Sequence, residues 1–167
     1  MRLDPAIYER LAEGDLALVR YVSWRRDGAM IAAVAGSAQA ASFGELQPVG
    51  DGHAAAIAPD HQVWIATGAS TAPTAAPDCI AADVSAAVVG YRIGRSQLDA
   101  LLRRHAPGAM DANLLAPGFR RIGFATWAIE LAILTDRPAL VIVPRGHAVN
   151  FEALAGYGSA DSKDVAA

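Results

Sequence analysis

The sequence predicts an α+β fold, with mixed or antiparallel sheets and helices packed on one face. Three observations carry that expectation. Apolar residues make up 53% of the 167 and charged residues only 19%, enough to bury a core and too few charges for a disordered chain. A β-α-β-β-α order can be read from residues 86 to 155. A small, proline-bearing stretch, TGASTAPTAAP, separates an N-terminal half from a C-terminal one. The expected organisation is one domain, 1–158, built from two halves (1–66 and 79–158) joined by an exposed linker, 67–78. Residues 159–167 are expected to form a flexible tail.

In the C-terminal half, residues 86–93 (AAVVGYRI) are β-branched and aromatic enough for a strand. Ser96-Gln97-Leu98-Asp99 has the spacing of a capping box, and Leu98, Leu101 and Leu102 make one helical stripe that Pro107-Gly108 stops. A long loop closed by Pro117-Gly118 is expected next. Ala125, Trp127, Ile129, Leu131 and Ile133 then alternate along a strand, with Thr126 and Glu130 on its other face. Thr135-Asp136-Arg137-Pro138 turns the chain into a strand over 139–143, which Pro144 ends. Ala148, Phe151, Leu154 and Ala155 mark a final helix.

The N-terminal half is less patterned. Residues 5–12 read as a short helix. Residues 16–24 and 29–34 read as strands joined at Arg26-Asp27-Gly28, and 36–52 as a loop or weak strand plus turn. Residues 53–58 and 62–66 read as a second hairpin around Pro59-Asp60.

Composition excludes several classes of function. No apolar run reaches the ~20 residues a bilayer needs, and the N-terminal residues lack the apolar core of a signal peptide, so a soluble, cytoplasmic protein without membrane contact is expected. Thirteen of the fourteen basic residues are arginine, scattered in pairs on a chain of net charge -3, unlike the positive stripe nucleic acid requires. Cys79 stands alone, which rules out an internal disulfide.

A search for chemistry returns little. The phosphate-binding glycine motifs and H-E-x-x-H are missing, and the glycines of Gly90-Tyr91-Arg92-Ile93-Gly94-Arg95 lack a third partner. His53, His61, His105 and His147 each stand without a second ligand at helical or strand spacing, and Cys79 has no neighbouring base. No catalytic, cofactor-binding or metal-ligating residue is therefore assigned. Asp83, before Val84-Ser85, suits a turn cap or a partner contact. Trp64 and Trp127 suit the core.

Taken in series, the motifs are more informative. Asp83-Val84-Ser85, Arg92-Ile93-Gly94, Leu101-Leu102, Pro117-Gly118, Trp127 to Leu131 and Leu140-Val141-Ile142-Val143-Pro144-Arg145 come one after another in order. Upstream lies Ala58-Pro59-Asp60-His61-Gln62-Val63-Trp64-Ile65. Together, over residues 57–157, they resemble the gamma subunits of heterotetrameric sarcosine oxidases, and more broadly the aminomethyltransferase (glycine-cleavage T-protein) superfamily. Arg145-Gly146-His147 departs from that pattern, where Arg-Ser-aromatic is usual.

The resemblance implies a truncated folate-binding module serving as a non-catalytic subunit. Its partners would be a large alpha subunit, an FAD-bearing beta subunit and a small delta subunit. The FAD, FMN, NAD and tetrahydrofolate of oxidative N-demethylation would all lie outside this chain. With docking as the expected role, Asp83, Trp127, Arg145, Phe151 and Tyr157 are the candidate interface residues, since aromatics and arginine dominate binding hot spots. Two rival readings stand beside it. One is a stand-alone small-ligand or folate-binding module with a pocket between the halves. The other is an unrelated small homodimeric enzyme using Cys79 or Asp83.

Overall fold

A computed structural model describes residues 8–23, 43–109, 111 and 113–157, and the Tyr157 side chain lies outside this description. The expected hairpin partner at 29–34 and the tail fall outside it too. Among the described residues, ten strands form two five-stranded sheets in which every pairing is antiparallel, and two α-helices accompany them. The fold is a sheet-dominated α+β arrangement.

The first sheet runs β1-β7-β10-β9-β8, from β1 (Tyr8–Arg10), β7 (Val88–Ile93), β8 (Gly118–Phe124), β9 (Trp127–Ile133) and β10 (Ala139–Pro144). Helices α1 (Arg95–His105) and α2 (Ala148–Tyr157) cover one of its faces. Leu98, Leu101, Leu102 and Phe151 pack there on Tyr91, Ile129, Leu131 and Val141. The second sheet runs β3-β4-β5-β2-β6, from β2 (Leu16–Ser23), β3 (Gln47–Val49), β4 (Gly52–Ala58), β5 (His61–Thr67) and β6 (Cys79–Asp83). Leu16, Leu18, Ala55, Val63 and Ile65 of this sheet meet Phe119, Ala132 and Ile142 of the first, so a second core lies between the sheets.

The linker is not a free spacer. Ala72 and Ala75 pack on the outer face of the second sheet against a core holding Tyr21 and Trp64, and the Tyr21 hydroxyl donates to the Pro73 carbonyl at 2.6 Å. The next strand along the chain, β6, pairs with β2 (Ser23↔Cys79 to Val19↔Asp83). In the opposite direction β1 leaves the N-terminal part and pairs with β7 (Tyr8↔Ile93). A boundary at 67–78 therefore does not separate the sheets, because each borrows a strand across it.

Several local expectations are corrected. The helix predicted over 5–12 is strand β1 where described. Tyr8 packs edge-on against Tyr91, ring centroids 5.4 Å apart, and pairing along β7 overrides local propensity. The Ser96–Asp99 capping box does not form. Gly94 is the N-cap with no side-chain bond, and Asp99 instead accepts from Arg103 one turn on at 2.8 Å. The long loop closes into an unpredicted strand, β8. Ala125 belongs not to β9 but to the two-residue turn joining β8 and β9, at φ 51°.

Candidate functional site

Of the predicted interface residues that are described, only Phe151 lacks surface altogether. Phe151, expected to face a partner, is wholly buried, its ring 4.8 Å from Tyr91 and 5.5 Å from Phe124. It cannot offer a surface while the chain is folded. Arg145 donates to the Ala86 carbonyl at 2.7 Å and lies 3.6 Å from Glu13. It clamps the two segments that carry the chain between sheets, though its side chain stays 46% exposed. Trp127 is half-buried and stacks on His147, ring centroids 4.8 Å apart and 6° from parallel. Cys79 is half-buried in β6.

Asp83 is exposed and closes a turn, accepting from the Ser85 amide at 2.9 Å and the Ser85 hydroxyl at 2.5 Å. These bonds, the hydroxyl's first, hold its carboxyl below the usual 3.8. A depressed carboxylate stabilises the fold above its unfolded value and loses that contribution as pH falls through the folded one. Asp83→Asn is therefore expected to be less stable than wild type at pH 7, with the difference shrinking as pH falls below about 4 and a flatter acid limb for the variant. Acid titrations of both proteins by circular dichroism check this, and identical acid limbs would refute the assignment.

A Cβ on Gly90 would stand 2.8 Å from Leu11 Cδ1, and one on Gly94 would stand 2.1 Å from Gln97 Oε1. The chain's own side chains thus approach both glycines closely. Among the described residues, no three His, Cys, Asp or Glu side chains could hold a metal ion together.

The ligand-binding alternative expects a pocket between the halves, but not the residues that line it. A cleft of about 710 Å³ opens at one end of the gap between the sheets. Arg20 enters it from β2 and Glu130 from β9, and their side chains, 25% and 10% exposed, form an ion pair across the sheets. Arg121 on β8 is the register partner of Glu130, on the same sheet face. His61 on β5 also lines the cleft. Burial first, and the Arg20 charge second, hold its imidazole below the ordinary value, so it is neutral at pH 7. Its Nε2 is buried without a hydrogen-bond partner among the described residues.

Gly44 fixes the rim. Its amide donates to the Ala56 carbonyl in the second sheet, and its carbonyl accepts from the Phe119 amide in the first. It does so at φ +78°, where a Cβ would stand 2.6 Å from the Phe119 oxygen. Only glycine allows this close bridge. Phe43 beside it is 56% exposed. A smaller cleft, about 260 Å³, lies between the sheets and is lined by His53, Arg92 and Arg137. Signals for the larger site existed in the sequence: Arg20 and Glu130 are lone charges of opposite sign inside apolar strands, LALVRYV and WAIELAI.

Among the described residues, no helix is long and apolar enough to cross a membrane. No protein-family model matches the sequence, and no curated protein matches it significantly. The fold is similar to that of a chain of the heterotetrameric sarcosine oxidase from Corynebacterium sp. U-96, solved in complex with pyrrole 2-carboxylate. The TM-score is 0.60 at 11% identity, covering 90% of this chain and 82% of that one. What the two chains share at that identity is the fold, across most of the length of each.

Proposed function

We propose that the chain is a non-catalytic, gamma-type subunit of a heterotetrameric, flavin-dependent sarcosine oxidase or a related N-methyl amino acid oxidase or dehydrogenase. In this reading it is a truncated T-protein-like module in the cytoplasm. It supports oxidative N-demethylation with one-carbon transfer to tetrahydrofolate. The large alpha subunit, the FAD-bearing beta subunit and the small delta subunit are its partners, and FAD, FMN, NAD and tetrahydrofolate reside in them. Amine oxidation needs a bound flavin to accept the hydride, and the glycines after β7 lack the third glycine of a dinucleotide fingerprint, which supports a flavin held by a partner.

The observation that carries this reading is the extent of the fold likeness. It covers 90% of this chain and 82% of a chain in a sarcosine oxidase heterotetramer, so the two are similar in length. That match to a chain of similar size supports the gamma-type reading. The test is purification of the tagged full chain from its native host. A stoichiometric flavoprotein absorbing near 450 nm and oxidising sarcosine should come with it. Recovery of the chain alone, as a stable monomer without flavin, would overturn the reading.

The cleft between the sheets favours a second reading, a stand-alone small-ligand or folate-binding module. Calorimetric titration with tetrahydrofolate separates the two, because a gamma-type subunit gives no heat.

A further inference from the structure

Glu130 does not neutralise the cleft it lies in. Arg20 pairs with it from the opposite sheet, and Arg121 stands across from it in register on the neighbouring strand. Among the described residues, the ionisable groups lining the space are three arginines and His61 against Glu45 and Glu130, which leaves a positive surplus. The arginines are not equivalent. Arg120 spends its guanidinium on the carbonyls of Asn113 at 2.6 Å and of Leu114, holding the loop before β8. Arg20 is committed to Glu130. Arg121 has no hydrogen bond or ion pair within the described residues and is exposed, which leaves it as the available cation.

The rest of the lining is complementary in another way. Phe43, Ile57, Ala58, Pro117 and Phe119 give the cleft an apolar wall beside the charges. A space of about 710 Å³ falls in the range that encloses small organic ligands, which is about 300–1,000 Å³.

We propose that this cleft binds a small monocarboxylate with an aromatic or alicyclic body. The carboxylate pairs with the Arg121 guanidinium, and the ring lies against Phe43, Ile57 and Phe119. A guanidinium offers two parallel N–H donors to a carboxylate. Partial enclosure between the sheets strengthens that pairing over the same contact in open water. Glu130 has a selective role here. By neutralising Arg20 it leaves charge enough for one carboxylate and disfavours a dianion. This site does not rest on the subunit reading, because a small ligand in the cleft is compatible with docking elsewhere on the chain.

The test is calorimetric titration of the full chain, or of the complex purified through it if the lone chain aggregates. The probes are 2-naphthoate and its uncharged analogue 2-naphthamide. Wild type is expected to bind the carboxylate at least about tenfold more tightly than the amide, the effect of one charge-assisted hydrogen-bond pair. Arg121→Gln should abolish that preference while its melting temperature stays within about 2 °C, since the side chain supports no other contact. A second variant, Ile57→Glu, should weaken both probes by filling the apolar wall with charge. Equal affinity for carboxylate and amide, no heat with either, or a preference that survives Arg121→Gln would overturn the proposal. None of these outcomes bears on co-purification with a flavoprotein, so the two proposals fail separately.

Discussion

Phe151→Ala is expected to destabilise the chain by about 3–5 kcal/mol, the usual cost of truncating a fully buried aromatic. The ring has no exposed surface and sits among Tyr8, Tyr91 and Phe124, at centroid distances of 6.4, 4.8 and 5.5 Å. It joins α2 to the sheet. A drop in melting temperature on the order of 10 °C should result for a domain of this size. Val149, two residues earlier on the same helix, is 77% exposed, and Val149→Ala should change stability by less than about 0.5 kcal/mol. Urea denaturation of both variants decides the matter. Near-wild-type stability for Phe151→Ala, with loss of partner binding, would return Phe151 to an interface.

The second large effect concerns the ion pair between the sheets. Removing one member of a fully buried pair costs about 3–5 kcal/mol, and of an exposed pair about 0–1 kcal/mol. Arg20 keeps a quarter of its surface in solvent, so Glu130→Ala is expected to cost about 2 kcal/mol, between those limits. Most of the loss comes from stranding a guanidinium beside a second one, not from a missing attraction. Arg20→Met combined with Glu130→Leu should therefore recover most of the loss, because the apolar pair extends the core formed by Leu18, Val63 and Ala132. A double-mutant cycle in urea reads the coupling directly, and strictly additive single effects would show that the two residues act independently.

Local signals were enough wherever an element's partners lie close in sequence. The β4–β5 hairpin at Pro59-Asp60, the leucine stripe of α1, strand β10 and helix α2 all stand where periodicity and turn residues placed them. Elements made by distant pairing were not legible. Strand β8 reads GFRRIGF, with two glycines and adjacent arginines breaking the alternation, and its turn is Ala-Thr where an Asn-Gly would have announced a hairpin. Strand β1 exists because the edge of β7 accepts it, which nothing in residues 8–10 declares. The cleft was hidden for the same reason. Arg20 and Glu130 are 110 residues apart, and only the stacking of one sheet on the other brings them together.

The exchange of strands has a kinetic meaning. Tyr8 must find Ile93 before β1 exists, and Val19 must likewise find Asp83 from far along the chain. Closing loops of that length comes before the contacts that reward it, so folding is expected on the slow, millisecond-to-second side of the range for single domains. The same lacing means that neither sheet can be completed by a ribosome-bound nascent chain until residues beyond 80 have emerged.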